Sequence, residues 1–432
     1  MENVQKKNNL LPIIVMIFLF AMIAFVTNLC SPMGVIVKNQ FGTSNFLAMV
    51  GNYGNFMAYL VMGFPAGMCL KRYGYKKTAL LALLVGIAGI LIQWASGWGG
   101  FLVYLIGAFI SGFCMCMLNT VVNPMLNLLG GGGNKGNQLI QIGGVFNSTA
   151  AVAVYIIMGA LIGDAAKAHI SDATPALMIA LAIFVFAFIV IFFTKIDEPQ
   201  AQVVEEKKAE KDKYSAFSFR HFNLGILAIG LYGSVEMGIP GYILQYLTAP
   251  ADAATPGLAM DAGYVGTLAA LYFIFMLVGR FIGGVVGGKV STKAMISTVA
   301  AAAVALLALG IFLPLDITMS VPGIDYVNLR LVWDNVPVSI FLFLLVGLCA
   351  SVMWGGIFNL ATEGLGKYTA IASGAFMTMV CGFAITVGIQ GWVADLTGSY
   401  IFSYFVPLAC AVYILYYALW GSKNVNKNIP TE

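Results

Sequence analysis

Charge is scarce in this chain. Of its 432 residues only 9% are Asp, Glu, Lys or Arg, while 60% are hydrophobic. A soluble domain carries about 25% charged residues. A soluble fold this apolar would expose large adhesive patches, so the solvent that suits it is a bilayer. Histidine is rarer still: His169 and His221 both fall in connecting segments. No His-Glu-x-x-His or Gly-x-Ser-x-Gly arrangement occurs, which argues against a membrane-embedded hydrolase. The basic residues form short loop clusters and no continuous stripe, so a nucleic-acid partner is excluded. The cysteines Cys30, Cys69, Cys114, Cys116, Cys349, Cys381 and Cys410 lie in apolar runs or at their ends, without zinc-site spacing. They read as packing residues, and no disulfide, metal or cofactor is expected. No small-residue cleavage site closes the first apolar run, which reads as a membrane helix rather than a signal peptide. No stretch outside the apolar runs is long enough for a soluble signalling domain.

What is present is a series of apolar segments. A spanning helix needs about 20 mainly apolar residues. Twelve candidates fit, at roughly 10–37, 44–69, 78–95, 100–128, 138–163, 174–195, 222–249, 262–288, 293–314, 336–358, 368–392 and 398–420. The fold class expected is an all-α membrane protein of twelve spans in two six-helix halves. With that count, Lys6, Lys7, Lys71, Arg72, Lys76, Lys77, Lys135, Lys195, Arg220, Lys289, Lys293, Lys367, Lys423 and Lys427 share one side with the basic residues of the 197–221 stretch. Lys38, Lys167 and Arg330 fall on the other. Basic loops stay in the cytoplasm, so both termini are expected there, in a bacterial inner membrane. The charged stretch 197–221 reads as a cytoplasmic linker between an N-terminal half, 1–196, and a C-terminal half, 222–432. Two halves of six are the layout of the major facilitator fold, with a solute site expected between them.

Polar groups inside spans are costly and therefore informative. The first half carries Asn28, Asn52, Asn55, Asn119, Asn123, Gln138, Gln141 and Asn147. Asn52 and Asn55, and likewise Asn119 and Asn123, each share a helix face. Amides donate and accept, which suits a hydroxyl-rich ligand. Their bland reading is as bridges between helices. The second half carries Glu236, near the middle of span seven in Tyr232-Gly-Ser-Val-Glu236-Met-Gly-Ile-Pro240. A carboxylate there costs a few kcal/mol, and taking up a proton relieves that cost, which is the behaviour of a proton carrier. Gly233, Gly238 and Pro240 loosen this helix. Tyr232 and Trp354 are candidate ring platforms for a sugar. Arg280 lies near the cytoplasmic end of span eight, where it can snorkel and gate.

The loop after span two reads Gly67-Met-Cys-Leu-Lys71-Arg72-Tyr-Gly74-Tyr-Lys76-Lys77. It resembles the signature of the major facilitator superfamily, with Lys71 where an Asp is usual. Asn119-Thr120-Val-Val-Asn123-Pro124, Phe146-Asn147-Ser148, and the segment from Ile357 to Leu408 narrow the resemblance. Together they look like the fucose–galactose–glucose:proton symporter family, of the L-fucose permease type. The resemblance implies uptake of a monosaccharide driven by a proton gradient. The acids that the fucose permease type carries in span one and ahead of the Thr-x-x-Asn-Pro motif fall here on Ser31 and Asn119. Neither can carry a proton. Gly144 stands where a glutamine is expected, while Glu236 matches a span-seven Glu of related glucose and galactose transporters.

The expectation is a monomeric secondary carrier with a sugar and a proton as its ligands. Its solute would be bound by the first-half amides Asn28, Asn52, Asn55, Asn119, Asn123, Gln141 and Asn147 and by Tyr232 and Trp354. Glu236 would couple the proton, and Lys71, Arg72 and Arg280 would gate. The competing readings are a symporter of an acidic sugar such as sialic acid, and a sodium-coupled or uncoupled sugar carrier.

Overall fold

The computed structural model describes residues 10–41, 45–162, 169–171, 173–194, 214–260, 262–325, 330–426 and 428–431. Within these, the side chains of 30–39, 41, 45–53, 154–162, 262, 263, 324 and 325 are outside the description. Cys30, Ser31, Lys38 and Asn52 are therefore placed by their backbone alone, and 197–213 of the charged stretch lie outside the described residues.

Helices dominate because a segment in hydrocarbon must satisfy every backbone group internally. In chain order they are α1 (Leu10–Phe41), α2 (Asn45–Gly99), α3 (Phe101–Leu129), α4 (Gly133–Ile162) and α5 (Thr174–Phe193). Then come α6 (Arg220–Gly233), a π-turn at Ser234–Gly238, α7 (Ile239–Thr248), α8 (Ala262–Val286) and α9 (Thr292–Phe312). A hairpin of β1 (Thr318–Asp325) and β2 (Arg330–Pro337) follows. The chain closes with α10 (Val338–Ala350), α11 (Met353–Thr362), α12 (Thr369–Thr378), α13 (Gly382–Thr397), α14 (Tyr400–Ser403) and α15 (Phe405–Tyr416). Among the described residues ten runs are long and apolar enough to cross a membrane. One of them, Gly54–Gly99, has 46 residues, enough for two crossings. It breaks at Gly74, whose φ of 76° only a residue without Cβ adopts readily. The 30-residue α4 adds a further helix of spanning length. The count is consistent with twelve.

The chain resolves into two compact units. The first comprises Met1–Ala216, Leu365–Thr378 and Thr431–Glu432. Here α12 packs on α2 backbone to backbone. A Cβ on Gly374 would stand 2.5 Å from Gly63 O and 2.7 Å from Gly67 Cα. Small residues spaced by four on both helices allow this approach, which in lipid is how helices gain dispersion contact. Lys76 closes the far end of α5, its Nζ donating to Phe192 O and Thr194 O at 2.9 Å each. A cation on the last carbonyls of a helix satisfies orphan acceptors and the negative end of the dipole.

The second unit comprises Phe217–Gly364 and Met379–Pro430. Span seven is α6, the π-turn and α7 in series, and the side chain of Tyr272 donates to Val235 O in that turn at 2.6 Å. Span ten is interrupted between α10 and α11 at Ser351-Val352. The hairpin departs from the all-helical expectation. Alternation is confined to the start of β1, and each strand carries a proline, a short pattern easily read as loop. Tyr264, at the start of α8, fixes it by donating to Val321 O at 2.8 Å and approaching Asp334 O at 3.3 Å. Gly323 lies flat against the Tyr264 ring, where a side chain would collide. Leu331 and Trp333 point from the opposite face and are 64% and 61% exposed.

Candidate functional site

Each unit holds a polar cluster in an apolar surround. In the first unit, Asn119 on α3 is buried and its Nδ2 donates to the Tyr59 hydroxyl on α2 at 3.0 Å. One turn on, Asn123 Nδ2 donates back to Asn119 O at 3.0 Å and lies 3.3 Å from Asn119 Oδ1. The i,i+4 spacing thus places both amides in one network with Tyr59, a residue the sequence reading left out of the site. Asn55, also buried, rests against Gly112, and its Oδ1 has no hydrogen-bond partner among the described residues. An orphaned buried carbonyl is costly unless something polar completes it.

Two other amides of the first unit hold backbone. Asn28 Nδ2 donates to Ala24 O of its own helix at 2.8 Å, and Asn147 Nδ2 to Phe20 O at 2.8 Å. Both acceptors are on α1, one turn apart. Gln141 Nε2 reaches Asn137 Oδ1 at 3.4 Å. The side chain of Asn52 lies outside the described residues. Lys71 and Arg72 are exposed at the Gly74 break, with the Arg72 guanidinium 5.3 Å over the Tyr73 ring.

In the second unit, Glu236 occupies the π-turn. Five residues per hydrogen-bonded ring widen the helix there, and such bulges often mark functional positions. The Glu236 side chain is 15% exposed, and its Oε1 lies 3.6 Å from Nη2 of Arg280, itself 8% exposed. The sequence reading placed Arg280 near the cytoplasmic end of span eight, snorkelling toward that face. The structure instead turns it inward, because an arginine stem reaches far enough to seek a buried carboxylate as well as water. Its Nε also donates to Ser351 O at the span-ten break, at 3.3 Å. Tyr232, one turn before Glu236, is fully buried. Its hydroxyl donates to Ala350 O at 3.1 Å and touches both Glu236 and Arg280. That burial makes it a support for the pair rather than an open platform.

Trp354 is the half-buried ring of the cluster. It stands 6.4 Å from Tyr232 and 6.1 Å from Phe383, which closes an aromatic triangle at 5.9 Å from Tyr232. Gln390, on α13, passed unnoticed in the sequence. It is fully buried, and neither atom of its amide has a hydrogen-bond partner among the described residues. Its position as a glutamine inside an apolar span was the available signal. It abuts Gly238 of the π-turn, where a Cβ would collide with Oε1 and come within 3.5 Å of Ser234 Oγ. Among the described residues no three His, Cys, Asp or Glu side chains gather as a metal site would require.

The sequence profile of the Major Facilitator Superfamily matches residues 13–389. A glucose/galactose transporter of Brucella abortus is 28% identical over 435 residues, covering 98% of this chain and 97% of that protein. The L-fucose-proton symporter of Escherichia coli K12 is 22% identical over 446 residues, covering 97% and 95%. The crystal structure of the E. coli Fucose:proton symporter superposes with a TM-score of 0.77 at 20% identity, covering 97% of this chain and all of that one. The apolar helices, the interrupted spans and the full-length likeness lead to one conclusion: the chain belongs to the Major Facilitator Superfamily and is a multi-pass membrane transporter.

Proposed function

We propose that this chain imports a neutral monosaccharide together with a proton, by alternating access, as a monomer in the bacterial cytoplasmic membrane with both termini in the cytoplasm. The Glu236–Arg280 pair is the observation that carries the reading. The names of the glucose/galactose and L-fucose-proton relatives supply the substrate class. Sugar hydroxyls would bond to Asn55, Asn119 and Asn123 of the first unit. Glu236 is the proton carrier. Ionised, it is held by Arg280; protonated, it no longer balances the Arg280 charge. A proton moving inward gains about 2.3 kcal/mol per 100 mV of membrane potential, plus any pH difference.

Uptake in energised vesicles tests this. The native chain accumulates sugar above the external concentration, and a protonophore abolishes the accumulation. Glu236→Gln, fixed in the neutral form, exchanges sugar across the membrane but does not accumulate it. Protonophore-sensitive accumulation by Glu236→Gln would sink the role. The acidic-sugar reading gains one specific support, a buried cation at Arg280. Competition of uptake by neutral against acidic sugars separates the two, and replacement of sodium by choline tests the sodium-coupled variant.

A further inference from the structure

We propose that Arg280 is a positioning residue that transmits the charge state of Glu236 to the break in span ten. This rests on the reading of Glu236 as proton carrier and goes beyond it, by naming where the proton's arrival is felt.

The geometry ties the carboxylate and the break through one side chain. Two different nitrogens of the Arg280 fork are engaged: Nη2 faces Glu236 Oε1 at 3.6 Å, and Nε donates to Ser351 O at 3.3 Å. The carbonyls around the break take side-chain donors. Ala350 O accepts from Tyr232, Ser351 O from Arg280, and Leu348 O from the hydroxyl of Ser351 at 2.5 Å. The neighbouring Gly279 fixes the register, since a Cβ there would stand 2.6 Å from Leu348 O and collide with Ser351. Helix α8 thus presses backbone against backbone on the interruption, and Arg280 has a short path to both ends of the link.

Protonation at a Glu236 oxygen removes the negative charge that draws Nη2. The guanidinium stays charged. It keeps its bond to the Ser351 carbonyl and its contact with the Tyr232 hydroxyl, and it shifts toward the carbonyl dipoles of the break. Other titratable groups facing Glu236 are Tyr232 and Tyr272, with Tyr404 and Cys349 of α10 beyond Tyr272 and Cys410 of α15 beside Ser234. Tyrosines and thiols of ordinary character stay neutral near pH 7. Charge at this place is therefore set by Glu236 and Arg280. Ala350 and Ser351 precede Trp354 by one turn or less, so a displaced break changes the packing of that ring against Tyr232 and Phe383. A lysine in place of Arg280 keeps the charge beside Glu236 but has a single nitrogen, which cannot hold the carboxylate and the carbonyl in a fixed fork.

Trp354 supplies the reporter. The chain has six tryptophans. Trp98, Trp333, Trp392 and Trp420 are each more than 60% exposed, so replacing these and Trp94 by Phe leaves Trp354 alone as the fluorophore. The full-length protein, reconstituted in liposomes, is titrated with pH while Trp354 emission is followed. The expected result is one transition in the parent, lost in Glu236→Gln, Arg280→Lys and Arg280→Met. Glu236→Gln should rest at the acid end of the parent curve. Where Arg280→Met fails to fold, Arg280→Lys gives the answer, because it retains the ion pair. A transition lost in Glu236→Gln but intact in Arg280→Lys overturns the transmission and leaves the proton carrier standing. A transition that survives Glu236→Gln overturns both. A flat parent curve overturns the transmission, and vesicle uptake then judges Glu236 by itself. A merely structural arginine would lower the folded yield without flattening the curve.

Discussion

Asn119 shows what a single amide does in hydrocarbon. It donates to Tyr59, so replacing it takes that donor from a buried hydroxyl, while Asn123 keeps its bond to the backbone carbonyl of position 119. Leaving a buried donor or acceptor unpaired costs about 1–3 kcal/mol. Asn119→Leu is expected to lower the melting temperature and to raise the KM for sugar uptake about tenfold, the equivalent of 1.4 kcal/mol. Tyr59→Phe removes one hydroxyl and is expected to cost about 1 kcal/mol of stability. An unchanged KM in Asn119→Leu, with only the melting temperature reduced, would return this amide to packing. Glu236 was legible in the sequence because an acid amid apolar neighbours declares itself. Its partner was not: Arg280 is separated from it by 44 positions, and which way a long cation reaches is a tertiary fact. Asn28 and Asn147 looked equivalent to Asn119 by composition, yet their donors are taken by α1 carbonyls.

At the scale of elements, the seam between α2 and α12 rests on the absence of side chains. Gly374→Ala places a methyl 2.5 Å from Gly63 O, so one helix must retreat. Overpacking of this kind costs about 1–3 kcal/mol. The variant is expected to melt at lower temperature and to transport more slowly, as thermal unfolding in detergent and uptake rates would check. An unaltered melting temperature would mean that the two helices have room to part. The apolar runs gave twelve spans from sequence, with which the ten runs among the described residues are consistent. The interruptions were harder. The π-turn was foreshadowed by Gly233, Gly238 and Pro240, while the break at Ser351-Val352 carries no proline and arises where α8 packs against α10. The hairpin was hidden for a different reason: two short strands become regular only because Tyr264 fixes them.

For the whole molecule, the distribution of basic residues sets the expected orientation. Alkaline phosphatase fused after Lys423 should be inactive, and fused after Pro314 it should be active, since the enzyme matures only outside the cytoplasm. The reverse pattern would overturn the assignment of sides and with it the direction of the proposed proton flow. The sequence reading divides the chain at the charged stretch 197–221, and the two compact units part first at Ala216–Phe217. Their extents were not legible, because the residues Leu365–Thr378 join the first unit through packing on α2 rather than through chain order.

The pinned hairpin has a consequence of another kind. Transporter loops are commonly poor targets for antibodies because their shape is not fixed. Here eight residues on each strand hold one register, with Trp333 and Leu331 presented side by side on the free face. That is a stable epitope carried by the second unit alone. A nanobody raised against it would mark the protein through that unit.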